Sequence, residues 1–113
     1  MSFDWQFLTD ETNASGQPND FAFVVIEGQL FLLANSDNAG SSVASVLANQ
    51  NLTVDGQQFD NATAFQNDTT FTVTDANNDG VVNIAFGVVN GGTSASAASA
   101  LIVDDVQVVP HVV

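Results

Sequence analysis

No Lys or Arg occurs anywhere in this chain, while 13 of its 113 residues are Asp or Glu, giving a formal net charge of −13. Every carboxylate must therefore be accommodated without a cationic partner side chain from the same molecule. Two carboxylates about 4 Å apart repel by roughly 1 kcal/mol in water, and by several times more where the effective dielectric is low. A compact fold then depends on cations from outside: bulk salt, specifically bound Ca2+, or both. The same feature excludes whole classes of function. Nucleic-acid binding relies on basic groups that displace counterions from phosphate, and none is encoded here. Anionic membrane surfaces are disfavoured for the same reason. No apolar run approaches the roughly 20 residues needed to cross a bilayer, so no membrane insertion is expected.

Hydrophobic residues make up 45% of the chain and nine of them are Phe, which argues against intrinsic disorder. The length suits one domain spanning 1–113. There is no Cys, so a disulfide framework is ruled out and metal is the alternative staple for a small extracellular domain. Met1 leads straight into Phe3-Asp4-Trp5-Gln6-Phe7, without the basic and apolar regions of a signal peptide.

The hydrophobic pattern has period two. Phe3, Trp5 and Phe7 alternate with Asp4 and Gln6, which predicts a half-buried strand over 2–9. Residues 10–20 are turn-forming throughout and read as a polar loop. Residues 21–26 and 30–34 predict a hairpin about Glu27-Gly28-Gln29. Residues 35–51 read as an irregular crossing with weak strand character. Two short strands, 52–54 and 57–59, flank Asp55-Gly56, a hairpin-turn dipeptide. Further strands are predicted over 69–74, 81–89 and 98–109. Seven or eight short strands without helical periodicity give an all-β, antiparallel β-sandwich, jelly-roll-like.

Three groups of oxygen-bearing side chains are candidate metal ligands. Asp75-Ala76-Asn77-Asn78-Asp79-Gly80 matches D-x-N-x-D-G, the first half of an EF-hand-type calcium loop, and Asn83 stands at position 9. Position 12 is Phe86, where the bidentate Glu belongs. The loop is then either a calcium-clamped turn finished by a carboxylate from elsewhere, or a plain hairpin turn between 71–74 and 81–89. The second group is Asp10-Glu11 with Asn19-Asp20, at the two ends of one polar loop whose flanking strands are expected to be neighbours. The third is Asp104-Asp105 within the apolar run ALIVDDVQVV. Adjacent strand residues face opposite sides, so one of the pair is expected to face inward or toward a sheet edge, and Asp104 is the better candidate for a metal. The alternative is that both are solvated near a strand end.

The pieces FDWQFLTDE, NDFAFV, FGVVN and SALIVDDVQV, in that order, resemble a domain recurrent in bacterial surface and secreted proteins. These include PEP-CTERM-sorted proteins and calcium-dependent adhesins exported by type I secretion. The resemblance covers residues 2–108. It implies a jelly-roll β-sandwich, extracellular or cell-surface placement, and calcium near the Asp10/Glu11/Asp20 loop and the Asp104 strand. Strand sequence usually precedes the FDWQF-like piece in such domains, and here it does not. A sandwich short of one strand is expected to accept a strand from a neighbouring chain. The apolar tail 108–113 is the candidate donor or docking segment.

The function expected on these grounds is a secreted, calcium-stabilised structural or adhesive module that self-associates, as a fibre or matrix subunit. The alternative is a calcium-dependent carbohydrate-binding module, with a glycan as partner. Catalysis is not expected. His111 is the only His and has no partner nucleophile. The acidic pairs read better as cation sites than as glycosidase carboxylates.

Overall fold

The alternation of the first strand decides how the layers stack. The computed structural model describes residues 1–10, 20–36, 43–73, 79–89 and 99–108. Ten strands follow one another: β1 (Ser2–Thr9), β2 (Phe21–Ile26), β3 (Gln29–Asn35), β4 (Val46–Leu47), β5 (Leu52–Val54), β6 (Gln57–Phe59), β7 (Asn61–Thr63), β8 (Gln66–Thr70), β9 (Ile84–Val89) and β10 (Ser99–Gln107). In β1, Phe3, Trp5 and Phe7 are fully buried, while Asp4 and Gln6 on the other face are half-buried.

β1 is the central strand of the larger sheet. β10 lies antiparallel along one side of it. On the other side two short strands share its length: β8 pairs with Ser2–Trp5 and β7 with Leu8–Thr9, and β7 carries β4 beyond it. The second sheet holds β2 between β3 and β9, all antiparallel. β5 and β6 form a separate hairpin. The protein is an all-β sandwich. Among the described residues the second sheet has three strands, so the four-plus-four arrangement of a jelly roll is not established by them.

The main core forms where the two sheets face each other. Phe3, Trp5 and Phe7 meet Ala22, Val24, Ile26, Leu33 and Ala34, with Phe86, Leu101 and Val103 packed around them. Each fully buried large side chain contributes about 1.5–3 kcal/mol before conformational entropy is counted. Trp5 keeps its indole N–H satisfied by donating to Thr69 Oγ1 at 2.9 Å. The opposite face of the larger sheet is covered as well. Leu8 and Ala62 pack under Phe59 of the β5–β6 hairpin, flanked by Leu52, Val54 and Ile102.

Both tight hairpins have left-handed residues at both central positions, Glu27 (φ 49°) with Gly28 (φ 79°) and Asp55 (φ 49°) with Gly56 (φ 82°). Such turns match the twist of the flanking strands. The strand expected over 69–74 is displaced. β8 starts at Gln66 and ends at Thr70, and Phe71 and Val73 pack on the core outside any described strand. Asp68, at φ 55°, forms a bulge in β8 that shifts the register against β1. The expected 81–89 strand begins only at Ile84. β7 was not anticipated; its sequence, Asn-Ala-Thr, has no strand signature.

Candidate cation site

Asp20 stands one residue ahead of β2, whose even positions Ala22, Val24 and Ile26 face the core. The same parity turns Asp20 inward, and it is fully buried. On the facing sheet Thr9 and Ser99 are register partners at the matching ends of β1 and β10. The Ser99 hydroxyl lies 2.5 Å from Asp20 Oδ2 and 2.7 Å from Thr9 Oγ1. Ser99 has one hydroxyl proton. The carboxylate is the stronger acceptor, so Ser99 donates to Asp20 and Thr9 donates to Ser99.

A second polar group sits beside this chain of oxygens. The Ser36 N–H donates to the Asp20 carbonyl at 2.9 Å. That bond extends the β2–β3 ladder, in which Phe21 pairs with Asn35 and Ala22 with Ala34. Directly opposite residues project from the same face, so Ser36 and Asp20 share the core side. Ser36 Oγ is buried and makes no hydrogen bond, the one such side-chain atom among the described residues. A buried hydroxyl without a partner costs about 1–3 kcal/mol.

Asp10 is directed away from Asp20. Thr9 faces the core, so its neighbour Asp10 faces the other way, and Asp10 Oδ1 accepts the Asp60 N–H at 2.8 Å beside the β5–β6 hairpin. The expectation that β1 and β2 are neighbouring strands is corrected: they belong to different sheets. Glu11 and Asn19 lie outside the described residues.

The D-x-N-x-D-G segment does not close a hairpin, because β8 and β9 on its two sides belong to different sheets. Asp75 and Asn77 lie outside the described residues. Asp79 is exposed and its Oδ1 accepts the Val81 N–H at 2.8 Å; Gly80 takes φ 78°, as the sharp turn requires. Asn83 pairs with Glu27, whose N–H donates to the Asn83 carbonyl at 2.9 Å, and Glu27 Oε2 lies 3.4 Å from both side-chain and backbone nitrogens of Asn83. Glu27 is thus a carboxylate brought in from another strand pair.

Neither Asp104 nor Asp105 faces inward: both are exposed, on a strand that lies at the edge of its sheet among the described residues, so the solvated alternative describes them. Asp105 adopts φ 52°, and the β1–β10 register slips between Asp4–Asp104 and Ser2–Gln107. This bulge breaks the alternation that would have buried one of the pair. Asp104 faces Asp4 directly across the ladder, and Asp4 Oδ1 accepts the Asp68 N–H at 2.9 Å.

The chain matches no protein-family model, no curated protein and no solved structure.

Among the described residues, no three Asp, Glu or His side chains converge as a metal-holding group. The Asp20 end of the sandwich nevertheless holds, among the described residues, a buried carboxylate hydrogen-bonded to Ser99, with Thr9 next to Ser99 and Ser36 paired to Asp20 through the backbone. Hard oxygen donors suit Ca2+ or Mg2+ and not the softer transition metals. The orphaned Ser36 hydroxyl and a buried carboxylate with no Lys or Arg to answer it fit a hard cation. Sequence reasoning found Asp20 from its charge. It missed Thr9, Ser36, Ser99 and Glu27; strand parity at Thr9 was the available signal.

Proposed function

We propose that this protein is an extracellular structural or adhesive module whose folded state is stabilised by Ca2+ and whose copies associate. The observation that carries this reading is the fully buried Asp20 carboxylate, bonded to the Ser99 hydroxyl, in a chain of net charge −13 without Lys or Arg. A chain without Lys or Arg has neither side chain to offset a buried carboxylate, and a divalent cation would do so. Asp20 would be the anchoring ligand, with Ser36 as a candidate neutral donor. Asp10 and Asp104 are directed elsewhere and are better read as surface carboxylates that weaker cation binding neutralises.

Self-association has support from the sheet edges. Among the described residues β3 pairs only with β2, and β10 pairs only with β1. Such edges accept a strand from another chain. The tail offered as donor, 108–113, lies mostly outside the described residues. The glycan-binding alternative has less behind it, because Trp5, the only Trp, is fully buried and Phe65 is the one large aromatic among the described residues that is well exposed.

The test is thermal unfolding across a calcium series, on the wild type and on Asp20→Asn. Metal that binds only the folded state stabilises it by about 2.7 kcal/mol at a hundred times its dissociation constant. The wild-type midpoint should climb with log[Ca2+] and the variant's should stay flat. Equal midpoints for the wild type in calcium and in metal-stripped, low-salt buffer would overturn the calcium reading.

A further inference from the structure

The sequence holds two Asp-Gly pairs, Asp55-Gly56 and Asp79-Gly80, and the fold treats them differently. Asp55-Gly56 is the whole two-residue turn of the β5–β6 hairpin, with Val54 paired to Gln57 at its base. Both residues are exposed and both are left-handed, at φ 49° and φ 82°. Among the described residues nothing hydrogen-bonds the Asp55 carboxylate or the Gly56 N–H. A Cβ built on Gly56 would meet nothing within 4 Å. At Asp79-Gly80 the carboxylate is engaged instead, because Asp79 Oδ1 accepts the Val81 N–H at 2.8 Å.

An aspartyl carboxyl carbon can close a five-membered ring with the backbone nitrogen of the next residue. Gly in that next position leaves the nitrogen unshielded by any side chain. Ring closure requires Asp55 to leave its left-handed conformation, which is disfavoured for a residue with a Cβ, so the movement relieves strain. The hairpin permits it. Its strands are three residues each and form a sheet of their own. A two-stranded ribbon is marginally stable by itself, and such a unit opens locally while the main core stays closed.

We infer that Asp55 is a site of spontaneous backbone modification, converting to isoaspartate through a succinimide. The Gly56 nitrogen attacks Asp55 Cγ and an N–C bond forms. The hydroxyl of the protonated carboxyl leaves with the Gly56 amide proton as water. A second water then opens the ring at one of its two carbonyls. Opening at Cγ restores Asp. Opening at the Asp55 backbone carbonyl leaves the chain running through Cβ and Cγ, with a free α-carboxylate. One water is released and one consumed, nothing is oxidised or reduced, and the net charge stays at −13.

The consequence reaches the fold. Isoaspartate adds one atom to the main chain inside a two-residue turn whose left-handed geometry matches the strand twist. Val54 and Gln57 then lose their register. Leu52, Val54 and Phe59 of this hairpin pack with Leu8 and Ala62 on the larger sheet, so modification loosens that cover and leaves the core between the two sheets intact. Aged copies of the chain thus expose apolar surface that new copies hide. The inference is independent of the calcium reading, in which neither Asp55 nor Gly56 is a ligand.

The test is to age the full chain for weeks in mildly acidic buffer at physiological temperature, cut it into peptides and distinguish Asp from isoaspartate at each position by electron-transfer fragmentation. Isoaspartate should accumulate at position 55 about tenfold faster than at position 79, or more. Asp55→Glu, whose ring would have six members, should abolish it. Asp55→Asn suits the same turn and should reach the same succinimide faster, by losing ammonia. Reaction at Asn90-Gly91, outside the described residues, would exchange nitrogen for oxygen and so is told apart by its mass. The modified chain should melt below the unmodified one. Absence of isoaspartate at position 55 overturns the inference, and a free peptide of residues 51–60 that isomerises in parallel would assign the protection to the fold. Accumulation at position 79 as fast as at 55 overturns it too, as does a modified chain that melts with the unmodified one.

Discussion

Ser99 and Asp20 join the two sheets through a 2.5 Å hydrogen bond between the start of β10 and the residue ahead of β2. It is a charge-assisted bond between layers whose main core is hydrocarbon. Bonds to a charged group are worth about 1.5–3 kcal/mol when both partners are satisfied. Ser99→Ala should therefore destabilise the domain by about 2 kcal/mol in chelator, read from urea or thermal unfolding. Thr9→Val, which removes the hydroxyl 2.7 Å from Ser99 Oγ, should destabilise in the same direction. Equal stability of Ser99→Ala and wild type would show that Asp20 is satisfied by other groups.

Trp5 donates to Thr69 Oγ1 at 2.9 Å. Thr69→Val keeps the shape of the side chain and removes the acceptor, leaving the indole N–H unpaired. The expected loss is about 1–3 kcal/mol. Because Trp5 is the only Trp, its fluorescence reports the change without labelling. An unchanged emission spectrum and stability would mean the N–H finds another acceptor.

Asp68 and Asp105 both hold left-handed backbone, at φ 55° and φ 52°, close to Asp4 and Asp104. A non-Gly residue in this region costs about 1–2 kcal/mol, and the like charges add repulsion. Asp68→Gly and Asp105→Gly should each raise the melting temperature in chelator, against the usual direction for a point change. Should calcium reverse the sign at either position, that carboxylate contributes to cation binding. Destabilisation by both in chelator would mean the bulges depend on the Asp side chains.

Gly87 is held clear by the Phe23 ring, whose far end would meet a new Cβ at 2.4 Å. Gly87→Ala forces that ring to swing away, at a cost of about 1 kcal/mol, near the low end for overpacking because the ring stands on the outer face. In a Phe23→Ala background the same change should cost nothing or stabilise slightly by stiffening the unfolded chain. Equal effects in both backgrounds would rule out the ring contact as the cause.

Much of this fold was legible in the sequence. The β1 alternation, the β2–β3 hairpin and the Asp55-Gly56 turn all emerge from period two and turn chemistry, and each matches its described span closely. Two of the failures, at β8 and at Asp104-Asp105, share a cause. Periodicity reads one chain segment at a time, whereas bulges are set by two strands together. The left-handed Asp68 and Asp105 displace β8 and turn both Asp104 and Asp105 to solvent, and nothing local marks them. The candidate site shows the same divide. Asp20 was visible as a charge. The Ser99 hydroxyl reaches it, and Thr9 reaches Ser99, only through pairing between residues up to 90 positions apart, and Ser and Thr carry no distinctive local signal.

β1 has a partner strand on each side and an apolar layer over each face, the smaller sheet against Phe7 and the β5–β6 hairpin against Leu8. No local fraying exposes its middle without dismantling a neighbour first. The amide protons of Phe7 and Leu8 should then exchange with solvent only through complete opening of the domain. Their exchange rate would measure global stability directly, and would report on any cation that holds the two sheets together.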